Sequence, residues 1–262
     1  MIGKGISRLR YLYRVLRHVL SECERSDSND ELFRDVYRNN RWGGKDSVSG
    51  TGSDLIQTQV IAKEIPALLL ELRVKTILDI PCGDFFWMRH VNLGDVNYLG
   101  ADIVREIVQR NRKKHGQQNL SFRRLDLLKD KLPRVDLVLC RDCLVHFSFK
   151  DIFRALANIG RSESTYLLTT TFPSRNVNCN IATGSWRVLN FEVPPFHFPA
   201  PLKVINEQCT EENGIYSDKA LALWRITDIR QTINNGIDRK HVERRHIDRG
   251  ADGCSSCAAD PA

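Results

Sequence analysis

Glycine and aspartate end two short apolar runs near the middle of the chain. The run 76–80 is rich in branched residues and is stopped by Pro81 and Gly83, as expected for a buried parallel strand that enters a turn. A second apolar run, 98–101, ends at Asp102, nineteen residues after Gly83. Glycine lets a ligand approach the backbone, and an acid in this position can accept hydrogen bonds from two ribose hydroxyls. The pattern predicts a nucleoside-binding unit of strand, glycine turn, helix, strand and acid.

The residues after Gly83 predict the helix of this unit. Phe86, Met88 and Val91 would form its apolar side, and Asp84 would cap its first turn. The turn holds one glycine, whereas a dinucleotide site uses three to pass a pyrophosphate over a helix N-terminus. The sequence therefore favours an uncharged or cationic ligand tail over a diphosphate.

A second group of reactive side chains follows the apolar run 135–140. Arg141, Asp142 and His146 stand where open α/β sheets place ligand and substrate contacts. His146 is better matched than Asp142 to proton transfer at neutral pH. The alternatives are a surface ion pair between Arg141 and Asp142 and a histidine that caps the next helix.

The stretch 78–84, Leu-Asp-Ile-Pro-Cys-Gly-Asp, resembles the first motif of the class I S-adenosylmethionine-dependent methyltransferases. That motif reads hydrophobic-hydrophobic-Asp-x-Gly-x-Gly. The chain keeps the acid, Asp79, and one glycine, Gly83, while Pro81 and Cys82 replace the region of the first glycine. A narrower resemblance, to uncharacterised bacterial methyltransferase-domain proteins, rests on Pro-Cys-Gly-Asp and on Cys-Arg-Asp-Cys-Leu-Val-His, and extends from about residue 32 to about residue 226.

The resemblance implies a fold and a cofactor. The expected fold is α/β, a doubly wound and mostly parallel seven-stranded sheet with a terminal antiparallel strand pair, which is the Rossmann-like methyltransferase fold. The expected cofactor is S-adenosylmethionine, and Asp126 would meet its adenine amino group. The residues expected to bind the cofactor are Trp42, Asp79, Pro81, Cys82, Gly83, Asp84, Asp102, Ile103, Asp126, Leu127, Cys140 and Arg141.

The acceptor side is less closely defined by the sequence. Methyl transfer needs a nucleophile held about 3 Å from the methyl carbon, and a base only if the acceptor must lose a proton. Asp142 or His146 would be that catalytic base. The long loop 172–201, rich in aromatic residues and prolines, is the expected substrate-binding region. Its expected contacts are Trp186, Arg187 and His197.

The residues before the first strand predict a lid. The loop 39–53 is dense in glycine and hydroxyl residues and carries one large aromatic, Trp42. In related methyltransferases this segment closes over the cofactor, so Trp42 and the run 49–53 are expected to do the same, with a disordered linker as the alternative. The expected organisation is a basic amphipathic helix in 1–26, a lid segment in 27–58, the methyltransferase domain in 59–227 and a disordered tail in 228–262.

Charge and composition limit the kinds of partner that the protein is expected to bind. The net charge is +7, of which residues 1–25 contribute +4, so the remaining 237 residues are nearly neutral. A small-molecule acceptor, such as a sugar or biosynthetic intermediate, is therefore favoured over nucleic acid. The helix predicted over 6–20 is expected to pack on its own domain, with an anionic membrane surface or a partner protein as the alternatives. The oligomeric state is left open.

The sequence also gives expectations for the cellular compartment and for metal binding. No apolar run approaches the roughly 18 residues that span a bilayer, and no secretory signal is recognisable, so a cytoplasmic location is expected. Two CxxC pairs, 140/143 and 254/257, lie more than a hundred residues apart, and no metal site is expected. A nucleic-acid methyltransferase, a nicotinamide oxidoreductase and a non-catalytic nucleoside-binding module remain as alternatives.

Overall fold

The computed structural model describes residues 29–232, which contain a seven-stranded sheet with helices on both faces. The strands are β1 (Thr76–Asp79), β2 (Asn97–Asp102), β3 (Leu120–Arg124), β4 (Leu137–Cys140), β5 (Tyr166–Thr171), β6 (Lys203–Asn206) and β7 (Ala220–Arg225). The helices are α1 (Asn29–Arg38), α2 (Leu55–Glu71), α3 (Arg105–His115) and α4 (Phe149–Arg161), and residues 226–232 are also helical.

The sheet order is β3-β2-β1-β4-β5-β7-β6. Strands β1 to β5 pair in parallel, whereas β7 runs antiparallel to both of its neighbours, β5 and β6. The expected doubly wound, mostly parallel sheet with a terminal antiparallel pair is confirmed. Because the strand order reverses direction between β1 and β4, a crevice forms at the carboxyl ends of these strands.

Alternate residues of the central strands build two separate core layers. Ile77 and Leu137 face the layer that α2 and α3 cover, while Leu78 and Val138 face the layer that α4 covers. This alternation follows from the pleat of a strand, and burial on both faces explains why these strands are apolar throughout. The α4 helix begins with the predicted cap, since the Ser148 hydroxyl accepts a hydrogen bond from the Asp151 amide.

No α-helix follows Gly83, so the prediction of a helix here is wrong. Only one short 3₁₀ turn, Met88–His90, separates the glycine from β2. Phe85 has a φ of 59°, which breaks a right-handed helix, and its ring packs 5.3 Å from Tyr98 and 5.2 Å from Phe122 between centroids. Burial of these aromatic rings therefore decides the local backbone in place of helical periodicity.

Two predicted segments lie wholly or mostly outside the described residues. The amphipathic helix 6–20 falls there entirely, and so does most of the tail 228–262. Within the described part, Ile229 is buried in the core, so structured residues extend beyond the expected end of the domain at 227.

Candidate active site

The crevice at the carboxyl ends of β1 to β4 holds a first cavity, which encloses about 1070 Å³ counting its open mouth. Its walls come from the turns after these four strands and from the segment that precedes the sheet. The lining includes Phe33, Tyr37, Trp42, Val48, Ser49, Asp79, Ile80, Pro81, Cys82, Gly83, Asp84, Trp87, Asp102, Ile103, Asp126, Leu127, Arg141, Asp142, Cys143, His146 and Phe147.

Gly83 and Asp102 meet at the base of the first cavity. Gly83 has a φ of 51°, and a Cβ added to it would lie 2.2 Å from the Ser49 hydroxyl oxygen, so a side chain has no room here. The Asp102 carboxylate accepts hydrogen bonds from the backbone amides of Gly83, at 3.2 Å, and Val104, at 2.9 Å. These bonds hold the acid at the end of β2, where the sequence predicted it.

The two buried acids of the first cavity resist ionisation. Burial raises the pKa of Asp79 to about 7, although the Tyr98 hydroxyl donates a hydrogen bond of 2.5 Å to its carboxylate. Burial likewise raises the pKa of Asp102 to about 6, against the opposing effect of its backbone hydrogen bonds. Ionisation of this pair is therefore sensitive to any cationic or hydrogen-bonding ligand that enters.

A lid segment, residues 42–53, covers the first cavity and is fastened by Asp84. The Asp84 carboxylate accepts hydrogen bonds from the Ser47 hydroxyl at 2.8 Å, the Val48 amide at 3.1 Å and the Ser49 hydroxyl at 3.3 Å. The acid that stands where related motifs often have a glycine thus holds the lid. The same carboxylate also accepts a hydrogen bond from the Phe86 amide at 3.3 Å, although no α-helix follows.

Trp42 anchors the start of the lid segment. Its indole stacks on the His146 ring with centroids 4.6 Å apart, and Phe33 of α1 lies 6.3 Å from Trp42 and 6.0 Å from Phe147. An aromatic wall therefore connects α1, the lid segment and the turn after β4.

A second cavity of about 830 Å³, counting its open mouth, adjoins the first. The two cavities share Trp42, Ser49, Asp142 and His146. The remainder of its lining consists of Gly50, Thr51, Gly52, Phe172, Trp186, Glu211, Glu212, Tyr216 and Lys219. Trp42 and His146 therefore stand at the boundary between two neighbouring binding spaces.

Three buried charges and the partly buried Asp142 fix the turn after β4. Arg141 pairs with Glu207 at 2.6 Å and with Asp142 at 3.2 Å, and Lys219 pairs with Asp142 at 2.7 Å. Arg141 also donates a hydrogen bond of 2.8 Å to the carbonyl oxygen of Gly52 in the lid segment. Two cations and two anions compensate one another here, which is the condition for burying charge at tolerable cost.

The electrostatics of this network distinguish Asp142 from His146. Burial opposes ionisation of Asp142, but Arg141 and Lys219 outweigh it and hold its pKa well below the usual range. Burial lowers the pKa of His146, with partial compensation from the Ser185 carbonyl and Asp142. At neutral pH Asp142 is an anion and a weak base, whereas His146 is a neutral imidazole.

The hydrogen bond of His146 selects its tautomer. Nδ1 lies 2.9 Å from the carbonyl oxygen of Ser185, which can only accept, so Nδ1 carries the proton. In the neutral ring Nε2 then has a free lone pair. His146 is therefore the one of the two predicted bases that is prepared to accept a proton.

The structure gathers most of the predicted cofactor residues around the first cavity. Every residue of that predicted set lines it except Cys140, which is fully buried in β4 beneath the cavity wall. Asp126 is at the rim, where its carboxylate accepts a hydrogen bond from the Leu128 amide at 2.8 Å. Asp142 and His146, the predicted catalytic pair, line both cavities.

Of the three predicted substrate contacts, only Trp186 lines a cavity. Arg187 is placed elsewhere, because its guanidinium donates to the backbone carbonyls of Leu144 at 2.9 Å, Phe147 at 2.7 Å and Cys179 at 3.2 Å. Those bonds support the turn that carries His146, so Arg187 has a structural position and not a substrate-facing one.

His197 also departs from its predicted place. Its side chain is exposed on the loop before β6, and it lines neither cavity. The adjacent Phe196 and Phe198 carry the apolar packing of this loop, with both rings buried. Alternation along the loop therefore turns His197 outward.

Several residues that line the cavities were not predicted from the sequence. Phe33 and Tyr37 reach the first cavity from α1, and Glu211, Tyr216 and Lys219 reach the second from the β6–β7 connection. The apolar face of α1 gave a weak signal for the first pair. No local pattern marks the other three, since only the antiparallel pairing of β7 with β5 brings them to the site.

Neither a metal site nor a membrane span is present within 29–232. No group of three or more His, Cys, Asp or Glu side chains there has an arrangement that could hold a metal ion. Over the same residues, no helix combines the length and the apolar character needed to cross a bilayer.

Comparison with known proteins identifies the fold. Human N-acetylserotonin methyltransferase in complex with S-adenosylmethionine superposes with a TM-score of 0.51 at 13% identity, over 76% of this chain and 60% of that one. Magnesium protoporphyrin IX methyltransferase from Synechocystis PCC 6803, with bound S-adenosylmethionine, gives a TM-score of 0.53 at 15% identity, over 77% of this chain and 99% of that one. The chain thus spans less than two thirds of the human enzyme. No curated protein matches in sequence.

The fold and its crevice define an α/β protein of the Rossmann-like methyltransferase class. Residues 77–162 match the sequence profile of the family described as "Methyltransferase domain". Within 77–162 the chain therefore resembles a methyltransferase domain in sequence, and both of these structural neighbours contain S-adenosylmethionine.

Proposed function

We propose that the protein transfers a methyl group from S-adenosylmethionine, bound in the first cavity, to a small molecule bound in the second. The observation that carries this proposal is the shared boundary of Trp42, Ser49, Asp142 and His146 between the two cavities. A methyl donor and an acceptor must come within about 3 Å of each other, and adjoining cavities with a common wall satisfy that need.

The residues of the first cavity fit the cofactor. Asp102 would accept hydrogen bonds from the ribose hydroxyls. Gly83 lines the same cavity, and its missing side chain lets Ser49 of the lid segment approach the backbone. Arg141, the arginine in the lining, is already paired with Glu207 and Asp142, so no free guanidinium is directed at a diphosphate. The site therefore suits a ligand with an uncharged or cationic tail.

Asp84, Arg141, Trp42 and His146 would promote the transfer. When bound, S-adenosylmethionine would supply an electrophilic methyl group for the acceptor. The lid segment, fastened by Asp84 and Arg141, excludes water from the boundary between the cavities. Nε2 of His146 accepts the proton that the acceptor loses, and Trp42 fixes the plane of the imidazole.

The cofactor part of this proposal is tested by calorimetric titration with S-adenosylmethionine, S-adenosylhomocysteine and NAD in parallel. We expect micromolar binding of the two adenosyl compounds and no binding of NAD. Incubation of a metabolite extract with methyl-labelled S-adenosylmethionine, followed by mass spectrometry, should then reveal a labelled small molecule. Adenosyl binding with no labelled product in any extract would favour a non-catalytic binding module.

A nucleic-acid acceptor receives no support from the second cavity. Its ionised side chains are Asp142, Glu211, Glu212 and one cation, Lys219, so its formal charge is negative. A phosphate backbone would be repelled where it needs Lys and Arg.

A further inference from the structure

The second cavity has two chemically different ends. Trp42, Ser49, Asp142 and His146 form the end that it shares with the first cavity. Trp186, Tyr216 and Glu212 are among the residues that line only the second cavity and define its far end. An acceptor that places its nucleophile at the shared end therefore extends its remaining atoms to the far end.

Aromatic rings form one wall of the far end. The centroids of Trp186 and Tyr216 are 4.9 Å apart, and Phe172 lies 6.2 Å from each of them. The Trp186 side chain remains 43% exposed, although Phe172 beneath it is fully buried. An indole presented to a cavity in this way offers a ring face to a ligand, and a cation within about 6 Å of such a face is attracted by its quadrupole.

Glu211 and Glu212 also line this part of the cavity, and within 29–232 neither carboxylate forms a salt bridge, although Glu211 lies beside Lys219 and Asp142 around Gly52. The lysine of the cavity, Lys219, is neutralised by Asp142 at 2.7 Å and lies 3.8 Å from Glu207. Within 29–232, neither Glu211 nor Glu212 has a basic nitrogen within 4 Å.

The hydrogen-bond partners of Glu211 are uncharged groups. One oxygen accepts a 2.5 Å hydrogen bond from the Thr51 hydroxyl, and the other lies 3.6 Å from the Cys209 sulfur. Glu212 is exposed at the mouth. The far end thus carries two formal negative charges beside exposed aromatic rings, which is the environment that a desolvated ammonium requires.

We infer that the acceptor carries a positively charged amino group, held at the far end by Glu211, Glu212 and the Trp186–Tyr216 wall. Its methyl-accepting nucleophile lies at the other end, beside His146. This inference rests on the proposed function, because it assigns the substrate class of the same cavity. The charged group and the reacting atom would then contact different residues of one cavity.

Matched probes that differ only in charge test the inference. Tyramine, N-acetyltyramine and 3-(4-hydroxyphenyl)propionate carry one phenol with a cationic, a neutral and an anionic tail. The aliphatic set 6-aminohexanol, N-acetyl-6-aminohexanol and 6-hydroxyhexanoate repeats the comparison without a ring. Binding is measured by saturation-transfer NMR on protein saturated with S-adenosylhomocysteine. We expect the ammonium member of at least one set to bind about tenfold more tightly than its two partners, as one charge-assisted contact provides.

Substitution at the far end sharpens the result. Glu211→Gln keeps an oxygen for the Thr51 hydroxyl, and Glu212→Gln keeps the size of an exposed side chain. Each should reduce ammonium binding several-fold and the double substitution should abolish the charge preference, whereas Glu64→Gln on the exposed face of α2 should change neither. Failure of both ammonium probes to bind, or equal or tighter binding of the neutral or anionic members, would overturn the inference.

The same samples distinguish failure of the proposed acceptor class from failure of the proposed function. If S-adenosylhomocysteine binds by calorimetry and no ammonium preference is found, the acceptor class is wrong and the proposed function stands. If S-adenosylhomocysteine does not bind, the proposed function fails and the inference fails with it.

Discussion

The two cavities differ in how far apart in the chain their residues lie. The first cavity takes its base from one stretch, 79–103, whose strand, turn and strand bring Asp79, Gly83 and Asp102 together by local geometry alone. The second joins segments around positions 50, 142, 172–186 and 211–219. The base of the first cavity is therefore encoded locally, whereas the second cavity depends on how distant connections meet above the sheet.

The buried carboxylates of the two cavities also differ in their ionisation. Burial raises the pKa values of Asp79 and Asp102, and neither carboxylate forms a salt bridge within 29–232. Asp142 is partly buried, but Arg141 and Lys219 lower its pKa. Burial alone makes a carboxyl responsive to a ligand, while burial beside two cations makes it a permanent anion.

The largest effect is expected at the boundary between the cavities. His146→Gln removes the proposed proton acceptor and should lower kcat by about 10²- to 10⁴-fold, with the affinity for S-adenosylhomocysteine changed little. Steady-state kinetics combined with calorimetry separate the two effects. An equal loss of cofactor binding would show that His146 serves the first cavity and not the transfer.

The pH profile gives an independent measure of the same residue. Because burial lowers the pKa of His146, its neutral form is complete at and above neutral pH. In the unmodified protein, kcat should rise with pH through a value below 6.5 and then stay level, and this limb should vanish in His146→Gln. A limb that persists in the variant would assign the titration to another group.

A second prediction concerns stability and the first cavity. The pKa of Asp79 is raised from 3.8 to about 7, so ionisation of this buried acid destabilises the fold as pH rises from about 4 to above 7. Asp79→Asn removes the titration and can keep an oxygen for the Tyr98 hydroxyl. The free energy of unfolding of the variant relative to the unmodified protein should increase between pH 4 and pH 8 by as much as about 4 kcal/mol.

Urea unfolding at the two pH values measures this difference. Asp95→Asn, at an exposed position, is the matched control and should show no comparable change. A difference that is constant with pH would mean that Asp79 is already neutral or already compensated across the range.

The third prediction isolates the ribose contact. Asp102→Ala removes the acceptor of two hydrogen bonds to a nucleoside and should weaken S-adenosylhomocysteine binding by about 100-fold. Asp95→Ala should leave the affinity unchanged. Ammonium probes are not expected to lose their charge preference in Asp102→Ala, since Glu211 and Glu212 lie in the other cavity; calorimetry and NMR on one sample provide both readings.

The sequence predicted the first cavity better than the second for a physical reason. Gly83 and Asp102 are placed by strand ends, which apolar runs reveal, and the seven-stranded order follows from the family resemblance. Glu207 and Lys219 are ordinary surface-type residues in the sequence, and their burial depends on the pairing of β7 with β5 and β6. Arg187 attracted a substrate role by its position in a long loop, although it satisfies buried carbonyls instead.

The smallest predicted effect tests whether the lid segment links the two cavities. Asp84→Asn cannot accept hydrogen bonds as a carboxylate from Ser47, Val48 and Ser49, but it preserves the volume of the side chain. Opening of the lid should weaken S-adenosylhomocysteine binding by about tenfold, the effect of one charge-assisted hydrogen bond. Because Gly50 to Gly52 also line the second cavity, ammonium binding should weaken in parallel. Proteolysis within 42–53 should become faster in the variant and return to the original rate with saturating S-adenosylhomocysteine. If cofactor affinity falls without a change in proteolysis or in ammonium binding, Asp84 serves the first cavity alone.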